Sequence, residues 1–226
     1  MMSKNDKAPF LVEKNESSNL LVSFGGIAHG LGGSPMFEFY NSLKTIHCDK
    51  LFIRDFRQGW YHLGVDNKIV DIDGLSEYLV NFITEGNYKK VCFLGNSMGG
   101  YAALLLGNLI GVDRVIAFVP QTFIGIKLKL LSRDFRWLKE LSRVYFSRTK
   151  NVKYFDLNNV ITKQNINAEI NVYYSADNRL DKIHANRLAV DDRIKIEEIS
   201  KGGHGVAKVV RDSGDLEKIL NNLFSD

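Results

Sequence analysis

The stretch KKVCFLGNSMGGYAALLLGNLIG, residues 89–111, reads as three pieces in a row. An apolar run over 91–94 is short enough for a buried strand, and it stops at Gly95. Leucine, alanine and isoleucine from Tyr101 onward then give a helix that ends at Gly111. Between them lies Gly95-Asn96-Ser97-Met98-Gly99, of the form G-x-S-x-G, in a strand–turn–helix context. Such a turn needs glycines because side chains at the flanking positions would collide with the adjoining strand and helix. The following helix aims its first N–H groups at the serine, where they favour developing negative charge. Ser97 is therefore the candidate nucleophile.

Working outward, strand-like and helix-like segments alternate. NLLVSFGG (19–26), DKLFIRDF (49–56), DRVIAFVP (113–120), EINVYYS (169–175) and RIKIEEIS (193–200) read as further strands. Helices are predicted over 34–43, with Ser34 as cap and Pro35 in the first turn, over 73–86 between Asp73 and Gly86, and over 215–224. Apolar strands separated by helices imply an α/β fold, with a mostly parallel sheet covered on both faces. Residues 1–18 are polar and read as a tail or an edge element, leaving 19–226 as one domain. Only 121–168 breaks the rhythm; it is predicted to be a small helical cap rich in Lys and Arg.

Composition excludes several classes of function. The chain has 226 residues, 45% hydrophobic and 25% charged, with a net charge of +4. That is ordinary for a globular protein, and no Lys/Arg block with interleaved aromatics argues for nucleic acid. Two cysteines make no disulfide framework. Cys48 beside His47 has no second Cys/His cluster to complete a metal site, so no metal is expected. The first twenty residues lack the apolar core of a signal peptide, and no apolar run reaches the ~18 residues of a membrane span. A cytoplasmic protein is the expectation.

A serine hydroxyl needs a base, and the base needs an acid to orient it. Both follow downstream in the order Ser, Asp, His. INVYYSADNRLDKIHANRL is a strand, a polar loop with an Asp and a helix, and IEEISKGGHGVAKVV is a strand, a glycine turn and a His. Of five histidines, His204 alone lies in a glycine-lined loop after a terminal strand. His184 falls in the helix after the acid loop and is expected to be solvated. With these motifs the chain resembles the α/β-hydrolase family over about residues 19–224.

The resemblance implies a compact fold with a cap and a Ser97–His204–Asp177 triad. Asp177 is preferred because the family's spacing after the acid places Asp181 where a proline usually falls; Asp181 is the alternative. It further implies an oxyanion hole from the N–H of Met98 and of Gly26 or Ile27, the loop SFGGIAHGLGGSP supplying the latter. His29 in that loop, with Trp60 and His62 in RQGWYHLG, is expected to border the substrate. Asp55 and Arg57 in RDFRQGW are expected to form an internal ion pair or to brace a turn. The implied activity is hydrolysis of a carboxylic ester or thioester through an acyl-enzyme, with no cofactor. An acyltransferase using the same site is the alternative, and a non-catalytic binding module on the same scaffold is the other. The implied partner is a small-molecule or glycan-linked acyl ester or thioester. The aromatics and cations of 121–168 would suit one with an anionic part, although a solvated helix resting its apolar side on the body explains them as well.

Overall fold

The computed structural model describes residues 8–27, 35–161, 168–189 and 192–225. Seven strands form one sheet in the order β1-β3-β2-β4-β5-β6-β7. They are β1 (Phe10–Glu13), β2 (Asn19–Phe24), β3 (Asp49–Ile53), β4 (Lys90–Asn96), β5 (Arg114–Phe118), β6 (Glu169–Ser175) and β7 (Ile194–Ile199). All neighbours run parallel except β1, which pairs antiparallel with β3, Phe10 opposite Ile53. Of the two readings of 1–18, the edge element is the one formed, by Phe10–Glu13.

The alternation of side chains along the strands divides the core in two. Leu20, Val22, Phe24, Leu51, Ile53, Val91, Phe93, Val115 and Ala117 point to one face. There they meet helix α1 (Ile72–Gly86) and helix α2 (Met98–Ile110). Leu21, Phe52, Cys92, Leu94, Ile116 and Phe118 point to the other, under α7 (Val206–Asp212) and α8 (Asp215–Asn221). Among the described residues no helix is long and apolar enough to cross a membrane.

Several expected elements come out differently. No helix forms at 34–43 within the described residues; 38–45 is a series of turns, and Ser34 lies outside them. Phe39 stands at φ 60°, which no α-helix accommodates. The Glu38 carboxylate is drawn in to accept from the Gly26 N–H at 3.2 Å and the Asn96 side chain at 3.3 Å. Asp71, not Asp73, caps α1 by accepting from the Gly74 N–H at 2.7 Å, and Asn87 takes the left-handed closing position given to Gly86. The helix expected over 215–224 forms as α8, ending earlier at Asn221, and α7, which was not expected, precedes it across Gly214 at φ 80°.

The segment after β5 is helical as expected, with α3 (Ile126–Ser132), α4 (Leu138–Phe146) and the short α5 (Asn158–Ile161). Residues 162–167 lie outside the described part. Leu141, Val144, Tyr154, Leu157 and Ile161 join the core on the α2 side, and the Tyr101 hydroxyl donates to the Tyr154 carbonyl at 2.7 Å. Helix α4 thus rests its apolar side on the body. Helix α3 is turned the other way: Lys129 is buried, while Ile126, Leu130 and Leu131 are exposed. The Lys129 ammonium donates to the Arg136 carbonyl at 3.0 Å and lies 3.6 Å from the Asp134 carboxylate.

The turn at 95–99 shows why glycine is required there. A Cβ on Gly95 would lie 2.1 Å from the Gly99 carbonyl oxygen, and one on Gly99 would lie 2.1 Å from the Phe24 carbonyl oxygen. Both obstacles are backbone and cannot rotate away. Gly99→Ala is expected to lower stability by about 3 kcal/mol, at the upper end of overpacking costs. Urea unfolding of the parent and variant chains measures it, and an unchanged midpoint with an unchanged m-value would contradict it.

Candidate active site

Five strand ends converge at one edge of the sheet. Ser97 follows β4, Gly26 and Ile27 follow β2, Gln121 follows β5, Asp177 and Asp181 follow β6, and His204 follows β7. This is the carboxyl edge of a parallel sheet, beside the point where connections leave β2 and β4 in opposite directions.

Ser97 stands at φ 56°, ψ −116°, outside the ordinary regions for an L-residue, and its N–H donates to the Phe118 carbonyl at 2.9 Å. The strained turn brings the hydroxyl up from the strand end, 6% of the residue remaining exposed. Met98, the first residue of α2, has an N–H with no acceptor inside the helix.

His204 sits in a one-turn 3-10 segment, Gly203–Gly205, made possible by positive φ at Gly202 and Gly203. Its Nε2 lies 2.9 Å from Ser97 Oγ and its Nδ1 lies 2.8 Å from Asp181 Oδ2. A carboxylate can only accept, so it fixes the proton on Nδ1 and leaves Nε2 free to accept from the serine hydroxyl. Burial alone would raise the Asp181 carboxyl, but its bonds to His204 and Arg136 hold it below the usual range. Asp181 is 1% exposed.

The acid expected from the sequence, Asp177, is not the residue that the structure brings to His204. The Asp177 carboxylate is taken by the Ser175 hydroxyl at 2.5 Å and by the N–H groups of Gly203 and Gly202 at 2.9 and 3.3 Å. Those bonds pull its carboxyl below the usual range while it stands in solvent. Asn178 explains the register. Its side-chain oxygen accepts from Leu180 and Asp181 N–H at 3.1 and 3.2 Å, so helix α6 (Arg179–Asn186) starts at Arg179 and turns Asp181 inward in its first turn. Asp177 serves the glycine turn beneath His204.

His184, three residues after Asp181 on the same helix face, is buried with it, contrary to the solvated place expected. Its Nδ1 accepts from the Thr122 N–H at 3.0 Å, so its Nε2–H faces Asp134 at 3.0 Å. Burial, against the pull of Asp134, lowers its basicity.

Two residues with no role in the sequence reading touch these groups. The Gln121 amide lies 2.9 Å from Ser97 Oγ. Its orientation is fixed because the Trp60 indole N–H, a donor only, takes its oxygen at 3.1 Å. The NH2 group therefore donates to the serine oxygen. Arg136, from the segment between α3 and α4, donates to Asp181 Oδ1 at 2.8 Å.

The remaining expected residues fall as follows. His29 lies outside the described residues. Trp60 is fully buried and braces Gln121. His62, expected to border the substrate, is fully buried against the Tyr101 hydroxyl at 2.8 Å, and burial pushes its pKa down to about 3. The Gly26 N–H is occupied by Glu38, while Ile27, next in the chain, is half-buried and packs against the core. The turn-bracing reading holds for Asp55, which accepts from the N–H of Arg57, Gly59 and Tyr61; the Arg57 guanidinium turns away to the Asp66 carbonyl.

No protein-family model matches the sequence, and no curated protein matches it. Solved structures do match. A capsule O-acetyltransferase of Neisseria meningitidis serogroup A is similar with a TM-score of 0.69 at 19% identity, over 94% of this chain and 91% of that one. A fluorophosphonate-binding serine hydrolase of Staphylococcus aureus, FphF, gives 0.61 at 12% identity, over 91% and 84%. The glycosylation-associated Gap123 complex of Streptococcus agalactiae gives 0.67 at 15% identity, over 96% of this chain but 44% of that one. At these identities the likeness speaks to architecture, and it agrees with the parallel sheet and the serine turn. The chain has the α/β-hydrolase fold.

Proposed function

We propose that the protein is an acyl-transfer enzyme that works through a covalent acyl-serine at Ser97. One observation carries this: the unbroken line Ser97 Oγ, His204 Nε2, His204 Nδ1, Asp181 Oδ2, with spacings of 2.9 and 2.8 Å at its two hydrogen bonds. In this reading Ser97 attacks the carbonyl of an ester or thioester, and His204 takes its proton and later delivers it to the leaving group. Asp181 holds the imidazole in the required tautomer and stabilises its charge. The Met98 N–H and the Ile27 N–H receive the oxyanion, since Glu38 occupies that of Gly26. The Gln121 amide donates to Ser97 Oγ and so assists its departure when the acyl group moves on.

With water as acceptor the reaction is carboxylic ester or thioester hydrolysis. A hydroxyl acceptor is the second reading, and one comparison favours it. The likeness to the capsule O-acetyltransferase, at 0.69, exceeds that to the hydrolase FphF, at 0.61. One structure of that acetyltransferase holds coenzyme A. The corresponding donor would be an acyl thioester, and the acceptor a sugar hydroxyl.

Incubation of the purified chain with acetyl-coenzyme A separates the two. Free acetate formed at the same rate with and without an acidic oligosaccharide supports hydrolysis. An acetylated oligosaccharide formed at the expense of acetate supports transfer. Neither product from any of a panel of acyl esters and thioesters, with folded protein, would overturn both.

A further inference from the structure

A buried polar cluster lies behind Asp181, and the acyl-transfer reading does not use it. Arg136 is at its centre. One guanidinium nitrogen donates to Asp181 Oδ1 at 2.8 Å, while Nε and the other terminal nitrogen grip the two oxygens of Asp134 at 3.0 and 2.9 Å. Asp134, 1% exposed, also faces the His184 Nε2–H at 3.0 Å and the Lys129 ammonium at 3.6 Å. His184 in turn accepts from the N–H of Thr122, next to Gln121. Both sides of the Ser97 hydroxyl are thus anchored on one cluster, through Asp181 and His204 on one side and through Thr122 and Gln121 on the other.

The charges in the cluster balance in number but are not evenly shared. Two carboxylates face Arg136 and Lys129, and His184 is held neutral by the N–H that its Nδ1 accepts. Asp181 divides its oxygens, Oδ1 to Arg136 and Oδ2 to His204. The guanidinium offsets part of the negative charge that the imidazole would otherwise feel. Its planar fork also fixes the carboxylate plane, which a point-charge ammonium cannot do. Asp177 is spent on the N–H groups of the glycine turn and adds no competing contact.

We propose that Arg136 is a positioning residue: it holds Asp181 toward His204 and sets how strongly that carboxylate acts on the imidazole. The helical segment between β5 and β6 would then be part of the machinery and not only a lid, because it carries Arg136, Asp134 and Lys129. The inference rests on the acyl-serine reading for its catalytic meaning.

The test is the rate of Ser97 labelling by a fluorophosphonate as a function of pH, on the full chain. The acid limb marks the pH below which the imidazole is charged and cannot take the serine proton. Arg136→Met leaves the Asp181 charge unopposed, favours the charged imidazole, and is expected to move the limb up by about half to one pH unit. Arg136→Lys restores the charge and should return the limb toward its parental position while the plateau rate stays lowered. Asp134→Asn strengthens the net pull of Arg136 on Asp181 and should move the limb the opposite way. A folded Arg136→Met chain with its limb unmoved overturns the proposal. If that variant does not fold, an unmoved limb in Asp134→Asn does so instead. A parental chain that is never labelled at any pH sinks the acyl-serine reading. The ring-proton shifts of His204, followed by NMR across pH in parent and variants, then decide the Arg136 inference independently of activity.

Discussion

Ser97→Ala is expected to abolish fluorophosphonate labelling and to lower acyl turnover by on the order of 10⁶-fold, the loss seen when a triad nucleophile is removed. The reason is local. The hydroxyl is the atom on which His204 Nε2 and the Gln121 amide converge, at 2.9 Å each. Without it His204 has no proton to accept and the helix end no oxyanion to stabilise. Alanine at φ 56° carries the same backbone strain as serine, so the fold should persist, and the thermal midpoint should move by no more than a few degrees. Intact-mass spectrometry after probe treatment reads the result. Labelling that survives the substitution would place the nucleophile elsewhere.

Asp181→Asn is expected to cost about 10⁴-fold in turnover, whereas Asp177→Asn should stay within about tenfold of the parent. Arg136 makes the first number large. Its N–H occupies one oxygen position of Asp181, so an asparagine there must turn its carbonyl to Arg136 and its NH2 to His204. The imidazole is then forced to carry its proton on Nε2, the nitrogen that should accept from Ser97. Asparagine at 177 keeps an oxygen for the Gly203 N–H and disturbs only an exposed turn. Steady-state kinetics on both variants, with circular dichroism as a check of folding, decides between them. A crippled Asp177→Asn beside an active Asp181→Asn would restore the register expected from family spacing.

That register marks where legibility in the sequence ended. The serine turn was readable because its constraint is steric and local: Gly95 and Gly99 are needed by backbone atoms within one strand–turn–helix unit. The parallel order was readable from uniformly apolar strands, and His204 from its glycines. The carboxylate that meets His204 was not, because the choice between Asp177 and Asp181 turns on where α6 begins, and Asn178 decides that by one side-chain bond pair. Gln121 and Arg136 leave no periodic or motif signal at all. Their roles come from meeting residues 24 and 45 positions away in the chain. Helix α3 was misleading for a related reason: IKLKLL looks like a helix resting its leucines on the body, yet a buried cluster claims the lysine. His184 could have been placed from Asp181, three residues earlier, once that carboxylate was known to face inward.

The separation between Ser97 and His204, 107 residues along the chain, has a consequence during synthesis. At ordinary translation rates of about 5–20 residues per second, the serine turn leaves the ribosome on the order of 5–20 seconds before His204. The central strands β2, β3 and β4 can pair in that interval, while β7, which brings His204, closes the far edge last. In the acyl-serine reading, a nascent chain of this protein therefore holds its serine without the imidazole that would activate it until the final strand docks.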